Sequence, residues 1–298
     1  MSRIASTLAV ATLALVFVAG PAIGQFDDVV VKKHEASGNV VMLEGRGGNI
    51  AVCTGPKGVF MVDSQFAPLT AKIRAEIETL SKGPVSFLVN THWHGDHVGG
   101  NANFQNEGTV VVAHNNVRKR MSAEHFNDLF DRQMPASDAA ALPVVTFSED
   151  VTFYWDGGAI EVFHVGPAHT DTDAMIYFRK ENVLHMGDIF FNGAFPFIDV
   201  TSGGTAAGYV PAIDRALALT GDDTVIIPGH GAIAGRKDLL AYREFMQEIT
   251  SAIQTVVEDG RTLEEVKAMD LLAKYPESWG AGFVQPDLFI TTLYRSYQ

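Results

Sequence analysis

Six consecutive residues, HWHGDH from His92 to His97, constrain this chain more than any other feature. His92 and His94 stand two residues apart on a segment that leaves a predicted strand, so their imidazoles can project in the same direction. Gly95 gives the backbone freedom to turn, which directs Asp96 and His97 toward a second point nearby. Neutral nitrogen ligands with one carboxylate suit zinc best among the common metal ions. The motif therefore predicts a loop that contributes ligands to two adjacent ions.

Three further candidate ligands follow predicted strands later in the chain. His169 lies in VGPAHTDTD, Asp188 in LHMGDIF and His230 in IIPGHGA. Each is a weak signal alone, because a single histidine or aspartate in a loop usually has no ligand role. Together with HWHGDH they give five histidines and two aspartates at the ends of successive strands, where active sites of layered α/β folds assemble. The pattern predicts a dinuclear metal site.

This set of motifs resembles the metallo-β-lactamase-fold hydrolase superfamily, over most of the chain from the first strands to His230. The resemblance implies two zinc ions per chain, with iron or manganese as alternative metals. It gives Asp96 and Asp188 a catalytic role, and it implies that Asp63 orients a ligand histidine from behind. The ligands that it implies are, for the first ion, His92, His94 and His169; for the second ion, Asp96, His97 and His230; and, as a bridge, Asp188.

The predicted elements fall into two blocks of strands, each with helices. The first block runs from VVVKKHE to PVSFLVNT and includes the amphipathic helix APLTAKIRAEIETLSKG, and the second runs from TVVVA to DTVIIPGHG. Two sheets packed face to face with helices outside satisfy this order and give an α/β fold. The resemblance implies the same arrangement, a four-layer αβ/βα sandwich. We expect one domain over residues 25–298, of which residues 237–298 are mostly helical.

The first 24 residues have the character of a secretory signal peptide. A positive charge precedes an apolar run, and the small residues Ala22 and Gly24 mark a cleavage site before Gln25. A membrane anchor is the alternative, but Gly20 and Pro21 interrupt the run short of the roughly 20 apolar residues that a span requires. We therefore expect a periplasmic or secreted protein without a stable membrane span once the signal is removed.

The charge balance argues against a nucleic-acid partner. Lys and Arg number 22 and Asp and Glu 35, a formal net charge of −13, so the surface should repel phosphate backbones. Cys53, the only cysteine, lies in an apolar run and is expected to be a small buried residue. The remaining histidines are expected to bind no metal, with His164 and His185 in or beside the core and His34, His114 and His125 at the surface or in loops.

Two long irregular segments, residues 122–143 and 190–208, follow the candidate site elements. Long loops in compact domains are often functional. The second segment contains Phe195 and Phe197, which are candidates for an apolar, substrate-binding wall over the metals, with core packing as the alternative. A dinuclear centre is locally positive and would attract a small-molecule substrate that carries a carboxylate.

The resemblance implies a zinc metallohydrolase in which a hydroxide that bridges the ions attacks a carbonyl. Predicted export favours β-lactam ring opening, because β-lactams act outside the inner membrane. Asp188 favours thioester or lactone hydrolysis instead, because β-lactamases of this superfamily usually carry Cys or Ser at that position. A third interpretation belongs to another class, a non-catalytic exported protein that binds metal or relays electrons.

Overall fold

Two β-sheets form the centre of the computed structural model, which describes residues 26–298. The predicted signal peptide, residues 1–24, lies outside the described residues, so the domain boundary at residue 25 stays a prediction. The strands are β1 (Lys32–Ser37), β2 (Val40–Glu44), β3 (Ile50–Gly55), β4 (Gly58–Val62), β5 (Val85–Val89), β6 (Val110–His114), β7 (His125–Asn127), β8 (Arg132–Met134), β9 (Val145–Phe147), β10 (Asp150–Trp155), β11 (Gly158–His164), β12 (Ala174–Phe178), β13 (Val183–His185), β14 (Phe191–Asn192), β15 (Val225–Ile227), β16 (His230–Gly231) and β17 (Ala234–Gly235). The α-helices are α1 (Thr70–Leu80), α2 (Gly95–Val98), α3 (Asn101–Gln105), α4 (Asn115–Met121), α5 (Ala206–Leu219), α6 (Arg236–Glu258), α7 (Leu263–Lys267) and α8 (Pro286–Arg295).

The first sheet has seven strands in the order β1-β2-β3-β4-β5-β6-β9. Neighbours from β1 to β4 pair antiparallel, whereas β4, β5, β6 and β9 are parallel. β2, β3 and β4 are almost wholly buried and rich in Val, Ile and Met, as strands covered on both faces are. On the outer face, α1 buries Ile73 and Ile77 against this sheet.

The second sheet has six strands in the order β10-β11-β12-β13-β15-β17, and β13 pairs parallel with β15. Helices α5, α6 and α8 cover its outer face, and their buried side chains include Tyr209, Met246 and Phe289. None of the helices among residues 26–298 combines the length and the apolar character that a bilayer crossing requires.

The inner faces of the two sheets meet in a shared apolar core. The ring of Phe60 on β4 lies 5.0 Å from that of Phe153 on β10 and 6.0 Å from that of Phe178 on β12. Cys53 is buried in the same core, as its apolar context predicts. The layers thus run helix, sheet, sheet, helix, which confirms the four-layer αβ/βα sandwich.

The carboxyl ends of four strands meet at one edge of this sandwich. Asp63 directly follows β4, and His92 follows β5 in the parallel part of the first sheet. Asp188 and His230 follow β13 and β15, which are parallel neighbours in the second sheet. Side chains that are remote in sequence therefore converge at this edge, as ligands do in other parallel sheets.

Candidate metal centre

The seven predicted ligands lie in two adjoining groups at the carboxyl ends of the strands. Asp188 joins the groups, because its Oδ2 lies 3.5 Å from His169 Nε2 and 3.4 Å from His230 Nε2. Its Oδ1 lies 3.1 Å from His97 Nε2. Within each group the candidate ligand atoms all lie within 4.8 Å of one another, and the groups are His92, His94, His169 and Asp188, and Asp96, His97 and His230.

The HWHGDH loop contains both buried and partly exposed candidate ligands. His94 precedes the first residue of α2, and the single turn of that helix holds Asp96 and His97 side by side. The side chains of His92 and His97 are 1% and 0% exposed, whereas that of Asp96 is 26% exposed. His230 is 29% exposed. A small molecule can therefore approach from the side of Asp96 and His230.

Asp63 holds His97 from behind, as the resemblance implies. Its carboxylate accepts a hydrogen bond from His97 Nδ1 at 2.8 Å, from the Thr91 N–H at 2.8 Å and from the Thr91 hydroxyl at 2.7 Å. Asp63 is fully buried and has a φ of +62°, a left-handed conformation that Asp tolerates better than most residues. Because Nδ1 donates to Asp63, Nε2 of His97 faces the ligand cluster with its lone pair free for a metal.

Asp199 orients His94 as Asp63 orients His97, and the sequence does not predict this role of Asp199. Its Oδ2 lies 2.9 Å from His94 Nε2, so His94 presents Nδ1 to the cluster, 2.8 Å from His169 Nε2. Thr201 and Ser202 hold Asp199 in turn through backbone N–H groups and hydroxyls. The one signal in the sequence is DVTS, an aspartate followed by Thr and Ser that caps a short helical turn.

His169 is fixed by the segment that contains Phe197. His169 Nδ1 donates to the Phe197 carbonyl at 2.6 Å, and the Tyr209 hydroxyl donates to the same carbonyl at 2.9 Å. The backbone N–H of His169 donates to the buried Asp173 carboxylate at 2.7 Å. Both the ring and the backbone of this ligand are therefore held, which is the support that a metal ligand needs.

Several buried polar atoms of this cluster lack hydrogen-bond partners among the described residues. They are His92 Nε2, His97 Nε2 and Asp188 Oδ1, and all three face the centre of the cluster. Unpaired buried polar atoms are costly in a folded protein, and a metal ion is the partner that their chemistry suits. The donor set therefore fits two divalent ions.

Two glycines bring the backbone close to the second group of ligands. A Cβ atom on Gly48 would collide with the His97 imidazole, and one on Gly229 would collide with Asp188 Oδ1. Gly48 belongs to the GRGGN turn between β2 and β3, which the sequence indicates only as a turn. Both positions thus require glycine, because any side chain would displace a candidate ligand.

Without bound metal, the pKa values of the histidines in the cluster shift in opposite directions. Burial lowers the pKa of His230, but the Asp188 and Asp96 carboxylates outweigh burial and raise it to about 9. The same balance holds the pKa of His97 well above its ordinary value. Burial lowers the pKa of His92 and takes that of His169 to about 4. The Asp96 and Asp188 carboxylates thus favour positive charge at His97 and His230, beside the point where a metal ion would supply it.

The two phenylalanines predicted to form an apolar wall lie in different places. Phe195 is buried in the helical core with its ring stacked 5.1 Å from that of Phe289, while the Phe197 ring lies 6.0 Å from those of His94 and His169. The surface or loop position expected for His114 is wrong. This residue ends β6 and is 6% exposed, because the buried run VVVA continues to its last residue.

A family comparison agrees with this geometry. The sequence model of the metallo-beta-lactamase superfamily matches residues 43–230, which include Asp63 and every predicted metal ligand. The chain belongs to this superfamily. Superfamily members are metallohydrolases, which supports hydrolase activity and a metal cofactor for this chain.

Curated relatives of this superfamily member are distant. The 2,4-dinitroanisole O-demethylase subunit alpha of Nocardioides sp. is 28% identical over 59% of this chain and 50% of its own length. The metallo-beta-lactamase type 2 of Bacteroides fragilis is 22% identical over 51% of this chain and 55% of its own length. This chain thus matches about half the length of these two relatives.

Solved structures share the fold. The metallo-beta-lactamase from Pontibacter korlensis superposes with a TM-score of 0.61 at 22% identity, covering 73% of this chain and 99% of that one. The sec-alkylsulfatase Pisa1 from Pseudomonas sp. superposes with a TM-score of 0.65 at 18% identity, covering 90% of this chain and 50% of that one. At these identities the similarity shows the fold alone.

Proposed function

We propose that this superfamily member is a dinuclear zinc hydrolase that opens a β-lactam ring. The observation that carries the proposal is the two-part ligand cluster, in which Asp188 faces both groups and buried His92 Nε2 and His97 Nε2 lack protein partners. Two bound zinc ions would supply a water of lowered pKa and a Lewis acid for a carbonyl oxygen.

The residues of the chain set where a substrate lies. The buried ligands close the back of the cluster, so a carbonyl group approaches past the half-exposed side chains of Asp96 and His230. Arg46 is exposed on the neighbouring GRGGN turn, and it lines an open cleft together with His230. Glu44 lines the same cleft, so a carboxylate on the substrate would be attracted there chiefly by the charge of the bound ions, in spite of the net charge of −13.

No cysteine competes for the nucleophilic role. Burial raises the pKa of Cys53 to about 12, and this residue lies in the core between the sheets. A thiol with so high a pKa is inert at neutral pH. This supports a reaction that depends on the ligand cluster and does not pass through a cysteine adduct.

Thioester or lactone hydrolysis is the second candidate function. Asp188 favours it, because this carboxylate faces both groups where β-lactamases of the superfamily usually have Cys or Ser. Both candidates require the same attack on a carbonyl. They differ in the leaving group, which is the ring nitrogen in β-lactam opening and a thiolate or an alkoxide in thioester or lactone hydrolysis.

Metal content and a substrate panel test the proposal. The purified protein, dialysed against trace zinc, should hold about two zinc ions per chain by elemental analysis. Zinc-loaded protein is then assayed on a chromogenic cephalosporin, a penicillin, a carbapenem, a glutathione thioester and an acyl lactone. Turnover of the β-lactams above the other two substrates supports the proposal, and the reverse order supports the second candidate.

Two results would overturn these assignments. Full activity of Asp188→Ala would remove the bridging role of that carboxylate. Two tightly bound zinc ions without turnover of any substrate in the panel would instead favour a non-catalytic metal-binding or redox-relay protein.

A further inference from the structure

Three phenylalanine rings meet at the mouth of the metal centre, and we name Phe130, Phe197 and Phe283 the aromatic cluster. The ring centroid of Phe130 lies 5.7 Å from that of Phe197 and 5.6 Å from that of Phe283, and the last two are 5.9 Å apart. The Phe197 ring also lies 6.0 Å from the rings of His94 and His169. The cluster therefore extends directly from two ligands of the first group.

The outer rings of the aromatic cluster are open to solvent. Phe130 is 41% exposed and Phe283 is 70% exposed, whereas Phe197 is 7% exposed. Single exposed apolar side chains are common on protein surfaces and need no explanation. These rings instead come from three segments that are remote in sequence, namely the β7–β8 turn, the segment after β14 and the segment before α8. All three lie together beside the candidate metal ligands.

Polar contacts hold two of the three segments in place. The Phe197 carbonyl accepts hydrogen bonds from His169 and Tyr209. An ion pair of 2.7 Å joins Asp128, in the β7–β8 turn, to Arg295 at the end of α8. The position of the Phe197 ring is thus coupled to that of His169, and the ion pair links the turn that carries Phe130 to α8.

We propose that the aromatic cluster is the subsite for an apolar arm of the substrate, an aromatic or branched alkyl group attached next to the scissile carbonyl. This inference rests on the proposed hydrolase function. His230, which belongs to the second group of ligands, lines a polar cleft together with Arg46 and Glu44, so the proposed substrate joins its apolar arm to a polar end. The three side chains measure roughly 150–250 Å² each and are only 7%, 41% and 70% exposed. They therefore offer far less area than the about 800 Å² per partner of a stable protein interface. A small molecule is therefore the occupant that fits.

The kinetic test compares two substrates with the same lactam, benzylpenicillin and 6-aminopenicillanic acid, which lacks the phenylacetyl arm. The double variant Phe130→Ala/Phe283→Ala should raise KM for benzylpenicillin by about tenfold, the lower end of what apolar pocket contacts contribute. Its kcat, and both constants for 6-aminopenicillanic acid, should stay unchanged. Phe197 is left intact because its carbonyl holds His169.

Two control variants distinguish the loss of the subsite from the loss of any exposed aromatic side chain. Phe126→Ala removes a 52% exposed ring from the same hairpin, and Tyr154→Ala removes an 81% exposed ring from β10. Both control variants should keep the KM of the parent protein for benzylpenicillin. Equal loss in the controls and in the double variant would overturn the proposal.

A binding measurement keeps the inference testable if no lactam is turned over. Fluorine NMR can follow 4-fluorophenylacetylglycine, which has the arm and a carboxylate but no hydrolysable ring, against trifluoroacetylglycine, which lacks the arm. Binding of the first probe that weakens about tenfold in the double variant supports the subsite even where the proposed function fails. Equal binding to the parent and double variant overturns it, as does a dimer in sedimentation that the double variant dissociates.

Discussion

Asp63→Asn should weaken the binding of the second metal ion more than that of the first, while leaving the fold intact. Asp63 Oδ1 accepts from the Thr91 N–H, and Oδ2 accepts from the Thr91 hydroxyl and from His97 Nδ1. An asparagine has one carbonyl oxygen, which must face the Thr91 N–H because a backbone donor cannot turn away. Its amide NH₂ group then faces His97 Nδ1, and this forces Nδ1 to accept and Nε2 to carry the proton.

The magnitude follows from this change of tautomer. A metal needs the lone pair of His97 Nε2, which puts the proton back on Nδ1 against the asparagine NH₂ group. One unsatisfied buried donor costs about 1–3 kcal/mol, so the affinity for the second ion should fall by about 10- to 100-fold, the range that loss of a ligand's hydrogen-bond partner usually gives. Asparagine also tolerates the left-handed backbone at this position, so φ of +62° adds little strain, whereas alanine there would confuse the two effects.

The assay is a zinc titration of chelator-treated protein against a competing dye, with urea unfolding of the metal-free protein alongside. We expect the second ion to lose more affinity than the first, and the metal-free variant to unfold in one cooperative transition as the parent protein does. The reasoning would be refuted by a variant that binds the second ion with parental affinity but unfolds more easily, since Asp63 would then only stabilise the fold.

Three further outcomes are expected from the same structure. Asp199→Asn should weaken the first ion and spare the second in the same titration, because Asp199 sets the tautomer of His94; loss of the second ion alone would contradict this. Metal binding needs a neutral His230, and the pKa of this residue in the metal-free protein is raised to about 9. The affinity for the second ion should therefore rise between pH 7 and 9, by about tenfold per pH unit for each displaced proton, and level off above pH 9. A flat affinity profile measured over that range would exclude this competition. Expression in a Gram-negative host should yield periplasmic protein that begins at Gln25 by mass spectrometry, and a membrane-bound chain that retains residues 1–24 would show an anchor instead.

The ligands could be predicted from sequence because each follows a recognisable strand. HWHGDH places four candidate ligands within one short loop, and Asp188 and His230 lie just past apolar runs that can only be buried strands. Strand ends of a layered fold share an edge, so convergence followed from the order of the elements. The role expected for Gly95 is the exception, because the chain enters α2 there without a left-handed turn and a Cβ would meet open space.

The partners behind the ligands were not predictable in the same way. His94 and Asp199 are 105 positions apart, and nothing in the local pattern of either residue indicates the other. Phe195 and Phe197 stand two apart in an irregular segment, where no periodicity tells which ring faces the core and which faces the cluster. The sequence does not predict the β7–β8 hairpin within residues 122–143, because HFN and RQM are too short to show the alternation of a strand.

The candidate ligands and the proposed subsite overlap only in part along this chain. Every candidate ligand lies within residues 43–230, the segment that matches the superfamily, and so do Phe130 and Phe197, whereas Phe283 and Arg295 lie beyond it. Because specificity resides in differential contacts outside the reacting atoms, relatives aligned over the shared segment report on the ligand cluster and on only part of the proposed subsite. The segment before α8 and the β7–β8 turn are where exchange with a relative should change substrate preference while both metal ions stay bound.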